Sequence, residues 1–117
     1  MSIPPETVFK ALSDATRLRC LILLSREGEL CVCELTHAIA MAQPKVSRHL
    51  ALLRESGMVS DHRRGQWIFY RVHPALPAWA CEVLERTARA MEQTEPFRGD
   101  RLRLEAMPDR PGAACPA

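Results

Sequence analysis

Apolar positions in the first half of the chain recur every three or four residues, the spacing that gathers them on one face of an α-helix. Val8, Phe9 and Leu12 mark a short first helix over residues 6–12, entered through Pro4 and Pro5, which a helix tolerates at its start. Ser13 and Asp14 interrupt it, and Asp14 is placed to cap a second helix over residues 15–26. That helix carries Leu18, Leu21, Ile22, Leu23 and Leu24 and is apolar nearly all round, so it is expected at the centre of the domain. Cys20 within it reads as plain core, and Gly28 suits the position just past its end.

Cys31, Leu35, Ala38 and Ile39 share one face of a third helix that starts at residue 31 or 32 and ends near residue 40. A short turn at Met41 and Ala42 leads to Gln43 and a fourth helix with Pro44 as its first residue; Gly57 stops it. Val46, Leu50 and Leu53 point inward there, which leaves Lys45, Ser47, Arg48, His49 and Arg54 outside. The period then shortens to two. Residues 58–62 and 67–72 form a β-hairpin around Arg63, Arg64, Gly65 and Gln66, with Gly65 able to take positive φ.

A final helix over residues 76–93 carries Ala80, Val83, Leu84, Thr87 and Met91 at helical spacing. This stripe reads as a homodimer surface, packing against the first helix being the alternative. Beyond residue 94, four prolines and two glycines predict a loose tail over 95–117, with at most a turn of helix within residues 98–107. The expected architecture is one mainly α domain over residues 1–94 with a small β-hairpin. Two helices at a tight turn plus a basic hairpin make it a winged helix-turn-helix, whose second helix enters the major groove of double-stranded DNA while the wing reaches the flanking backbone.

Charge sharpens that picture. The chain of 117 residues carries a net charge of only +2. Lys45, Arg48, Arg54, Arg63, Arg64 and Arg71, against Glu55 and Asp61, give residues 43–72 a local balance of +4, leaving −2 elsewhere. A basic middle in a near-neutral chain matches a nucleic-acid face; a solvated charged surface is the plainer reading. Gln43, Lys45, Ser47, Arg48 and His49 are the candidates for base edges and phosphates, and Arg63, Arg64 and Gln66 form the wing tip. A two-fold dimer implies an inverted-repeat operator with half-sites about 34 Å apart. The N-terminus lacks a signal peptide's basic and apolar regions, and the longest apolar run, residues 20–24, is too short to cross a bilayer. A cytoplasmic protein with no membrane partner is expected, its five cysteines reduced unless they bind metal or sense redox.

Cys31 and Cys33 are the candidate chemistry, because soft thiolates select soft ions. On a regular helix, residues two apart point about 200° away from each other. Two sulfurs on one ion, each at roughly 2.3 Å, must lie within about 4 Å of one another. Chelation by this pair is therefore expected to require an unwound first turn of the third helix, displacing the DNA-reading helix packed on it. Cys31 also has a reading as core, on the Leu35 and Ile39 face, whereas Cys33 lies off that face.

Residues 29–35 (ELCVCEL), 43–57 (QPKVSRHLALLRESG), 65–71 (GQWIFYR) and 77–80 (PAWA) together resemble the arsenical-resistance repressors of the ArsR family, over roughly residues 6–93. The resemblance implies a homodimeric repressor that needs no cofactor to bind DNA and leaves its operator when trivalent arsenic or antimony binds Cys31 and Cys33. In the arsenite branch a third cysteine often stands where this chain has Thr36, so Cys115 is the candidate third ligand. Cys81, inside the last helix, reads as core or interface. Relatives that bind zinc on the last helix use histidines there, and no histidine follows His73; those that sense cadmium or lead use cysteines before the first helix, and none precedes Cys20. Two alternatives stay open: the same repressor sensing zinc, cadmium or thiol oxidation, and a thiol oxidoreductase. The second conflicts with the absence of a C-x-x-C within a βαβ pattern.

Overall fold

The computed structural model describes residues 2–111. Helices α1 (Pro5–Leu12) and α2 (Ala15–Glu27) come first, then strand β1 (Leu30–Cys31), helix α3 (Val32–Ile39) and helix α4 (Gln43–Ser56). Strands β2 (Val59–Arg64) and β3 (Trp67–Val72) follow, then helices α5 (Ala78–Ala90) and α6 (Phe97–Glu105). The Asp14 carboxylate accepts the Arg17 N–H at 3.0 Å, capping α2. That backbone hydrogen bond holds the Asp14 carboxyl below its ordinary pKa. Cys20, Leu21, Ile22, Leu23 and Leu24 of α2 are all buried, so this helix is the centre of the core as its apolar run requires.

The helix-turn-helix forms as expected, with the fourth helix starting one residue early, at Gln43, so that Pro44 is its second residue. Gly57 ends it at φ 87°, a left-handed conformation that costs glycine little. The hairpin pairs Val59 with Val72 through to Arg64 with Trp67. Its first strand thus runs two residues past the expected end, and Gly65, at φ 60°, makes the turn with Gln66. The sheet has a third strand. β1 pairs antiparallel with β3, Leu30 opposite Tyr70 and Cys31 opposite Phe69, giving the order β1-β3-β2. Two residues are too few to show a strand period, so the pattern of the chain does not reveal it.

Two expectations need correction. Ala80 and Leu84 are not a dimer surface: with Ala88 they are buried within the single chain, on the face of α5 turned to α2. Val83, Thr87 and Met91 are only partly covered. The chain after residue 94 also departs from a loose tail. Its prolines frame α6, which packs along α3 and buries Leu104 and Asp100. No helix among the described residues is long and apolar enough to cross a membrane.

Candidate functional site

The chain between α2 and α3 decides where the two thiols lie. Cys31 is the N-cap of α3 and keeps extended backbone, φ −83° and ψ 165°, because it belongs to β1. Cys33 stands in the first turn of α3. An extended residue followed by a helical turn makes the two thiols neighbours that interact with one another. The Cys31 thiol is almost fully buried, while Cys33 is partly open to solvent. Burial first, and then a hydrogen bond with the Cys33 thiol, pushes the Cys31 thiol up to about 12.

Glu34 completes the turn. Its Oε1 accepts the Cys31 N–H at 3.0 Å, and the Glu34 N–H is hydrogen-bonded to the Cys31 sulfur, a capping box with cysteine in the serine position. Its Oε2 accepts from Nε of Arg110 at 2.8 Å. The spacing of Cys31 and Glu34 is the signal that, in hindsight, marks this pair in the sequence. Among the described residues no group of three or more His, Cys, Asp or Glu side chains is arranged to hold a metal ion. The pair of thiols is therefore what the described chain offers a soft ion. Cys115 lies outside the described residues, and Cys20 is core, as expected.

Helix α4, the second helix of the helix-turn-helix, follows α3 and packs against it. Gln43, Lys45 and Arg48 are exposed along its first turns, with Ser47 partly so. His49 is not. Only 8% of it is exposed, because it follows Val46 by three residues and so shares the buried face of Val46, Leu50 and Leu53. Its Nδ1 lies 3.8 Å from Asp14, too far for a hydrogen bond. His49 therefore leaves the DNA face. On the wing, Arg63 and Gln66 are exposed. Arg64 is diverted: it pairs with Glu29 just before β1 and lies over the Phe69 ring at 4.2 Å. Arg54 is paired with Asp61 at 3.0 Å, tying the end of α4 to β2.

The far end of α3 is held by α6. Asp100, 1% exposed, receives Nε and a terminal nitrogen of Arg19 at 2.8 and 2.6 Å, and Arg103 at 2.8 Å. The same two arginines donate to the last carbonyls of α3, Arg19 to Ile39 at 2.9 Å and Arg103 to Ala38 at 2.8 Å. Sequence reasoning missed this cluster, since its members lie far apart in the chain.

A helix-turn-helix with a basic wing on a helical frame defines a winged-helix DNA-binding regulator, a transcription factor and not an enzyme. Residues 14–61 match the family described as bacterial regulatory protein, arsR family. The chain is 51% identical over 109 residues to the arsenic resistance transcriptional regulator ArsR1 of Pseudomonas putida, covering 93% of this chain and 84% of that one. It is 49% identical over 89 residues to the arsenical resistance operon repressor of Escherichia coli K12, covering 76% of each. The crystal structure of the AntR antimony-specific transcriptional repressor matches with a TM-score of 0.63 at 33% identity, over 77% of this chain and 78% of that one. The chain belongs to the ArsR family of bacterial regulators.

Arg48 is exposed and, among the described residues, forms no ion pair. Arg48→Ala is expected to weaken operator binding by about 1–3 kcal/mol. Fluorescence anisotropy at several salt concentrations reads this directly, and an affinity equal to wild type would remove Arg48 from the interface.

Proposed function

We propose that this protein is a repressor released from its operator when trivalent arsenic or antimony bonds to Cys31 and Cys33. The observation that carries the reading is the contact between the two thiols at the junction of β1 and α3. Cys31 lies in the same sheet as the wing strand β3, and Cys33 lies in the helix packed on α4. Bridging the two sulfurs ties the wing's sheet to α3, so any change in their spacing moves both DNA-contacting elements. The relatives' names point the same way, two to arsenic and one to antimony.

The chemistry also separates arsenite from divalent cations. Arsenite arrives as a neutral trihydroxide, and each thiol that bonds to arsenic gives its proton to a departing hydroxide, which leaves as water. A divalent cation must instead expel the Cys31 proton into solution, from a thiol whose pKa is raised to about 12. Between about pH 7.5 and pH 6.5 the arsenite concentration for release is expected to stay constant, while apparent cadmium affinity falls about tenfold from this proton alone. A parallel decline for both ions in a pH series of operator-release titrations would defeat the distinction.

We further infer that two chains bind an inverted-repeat operator. Phe9, 54% exposed, stacks on Trp79, 37% exposed, with ring centroids 6.4 Å apart. This leaves an aromatic surface on α1 and α5 that a second copy would cover. The deciding experiment follows anisotropy of labelled DNA from upstream of the protein's own gene as arsenite is added to the reduced complex. Release at low stoichiometry, from a complex of two chains per duplex, is the expected result. Retention at saturating arsenite would end the sensor reading, and one chain per duplex would end the dimer.

A further inference from the structure

We propose that Arg110 is a positioning residue for the thiol pair: through Glu34 it holds Cys31 at the start of α3, and so sets how readily the site takes up trivalent arsenic. The proposal rests on the reading of Cys31 and Cys33 as the arsenic ligands. The Glu34 side chain is fully buried, and both of its oxygens are committed, one to the Cys31 N–H and the other to Arg110. Arg110 also lies 3.7 Å from the Glu27 carboxylate, at the last residue of α2. One guanidinium thus closes the stretch between α2 and α3 from both ends, and Cys31 lies inside that closure.

Burying a carboxylate without its cation is strongly disfavoured. Without Arg110, Glu34 is driven to turn outward. Turning outward removes the acceptor of the Cys31 N–H and frees the residue from its extended cap. The spacing of the thiols is then no longer held before arsenic arrives, and organising it must come out of the binding free energy. Arg110 thereby acts on the ligand site as outer-shell partners act on metal ligands, by fixing their geometry without touching the ion.

The test uses the full chain, reduced, with three variants: Arg110→Ala, Arg110→Gln and Arg110→Lys. Two quantities are read: the rate at which iodoacetamide alkylates Cys31 in the DNA-free protein, followed by peptide mass spectrometry, and the arsenite concentration that releases half of the operator complex. In Arg110→Ala the alkylation rate and the arsenite midpoint are each expected to rise about tenfold, the lower end of the outer-shell range. Operator affinity without arsenite is measured for each variant, and the arsenite midpoint is read against that variant's own complex. Arg110→Lys keeps the charge and returns both readouts toward wild type. If Arg110→Ala does not fold, Arg110→Gln, which keeps a polar hydrogen-bond donor but not the charge, decides the matter. Wild-type alkylation rates in a folded Ala or Gln variant would overturn the proposal. If the wild-type protein ignores arsenite, the ligand reading fails, and the alkylation rate alone still shows whether Arg110 positions Cys31.

Discussion

Replacing Cys31 and Cys33 together by serine is expected to leave operator binding intact and to abolish its release by arsenite. Serine is close to cysteine in size, so α3 keeps its start. A serine oxygen at position 31 accepts the Glu34 N–H at least as well as sulfur does, and the capping box survives. What disappears is the soft donor pair, for which a hydroxyl is no substitute. Coupling between ligand and DNA sites is typically about 1–3 kcal/mol, or about 5- to 150-fold in affinity, and removing the ligands removes all of it. Each single variant is expected to lose most of the response too, since the described residues supply no group of three ligands from which to replace one. The measurement is the same anisotropy titration, with arsenite raised to saturation. If the double variant still lets go of its operator at the wild-type arsenite concentration, the thiol pair is not the sensor.

Asp100→Ala is expected to be the most damaging change away from that site. The carboxylate is 1% exposed and receives both Arg19 and Arg103, whose guanidiniums also serve the final carbonyls of α3. Hydrogen bonding to Asp100 is the main reason the Arg19 pKa lies above its ordinary value. Without the carboxylate, Arg19 is a mostly covered cation with one carbonyl left to satisfy it. Breaking a buried pair by deleting one partner costs about 3–5 kcal/mol, against a total stability of about 5–15 kcal/mol for a typical domain. Guanidinium unfolding of the DNA-free protein measures the loss. A change below about 1 kcal/mol, the scale of an exposed pair, would mean that α6 is not holding α3 as the geometry indicates. Operator affinity should fall with stability, because the carbonyls these arginines hold lead directly into the turn before α4.

Helices α1 to α5 and the hairpin were legible from local pattern alone. Helix α2 is apolar on all sides and could only be central. Asp14, Gly28 and Gly57 stand at the helix boundaries that their capping and left-handed preferences select. The alternation of residues 67–72 around a glycine turn could only be half of a hairpin. Cys31 and Cys33 were visible as a soft-ion pair, and Arg48 and Arg63 as exposed basic residues, because these features depend on neighbours within a few positions.

The tertiary structure decided the rest, and in each case the deciding partner is distant in the chain. Cys31 is extended rather than helical because β3, nearly forty residues later, supplies its strand partner Phe69. That pairing sets the Cys31 thiol outside the regular turn of α3 that carries Cys33. Arg64 looks like a wing-tip phosphate contact until Glu29, 35 residues earlier, takes it. His49 looks polar and outward until its place beside Val46 and Leu50 on the packed face of α4 buries it. Asp100 and Arg19 are 81 residues apart, and Arg110 and Glu34 are 76 apart. No periodicity or cap registers such pairs: an arginine in a proline-rich tail is, to local pattern, one more solvated charge. Sequence determined the first five helices, the hairpin and which atoms are chemically able to hold a soft ion. Only the folded chain, by bringing opposite charges together where water is excluded, determined which of those atoms are held in place and by what.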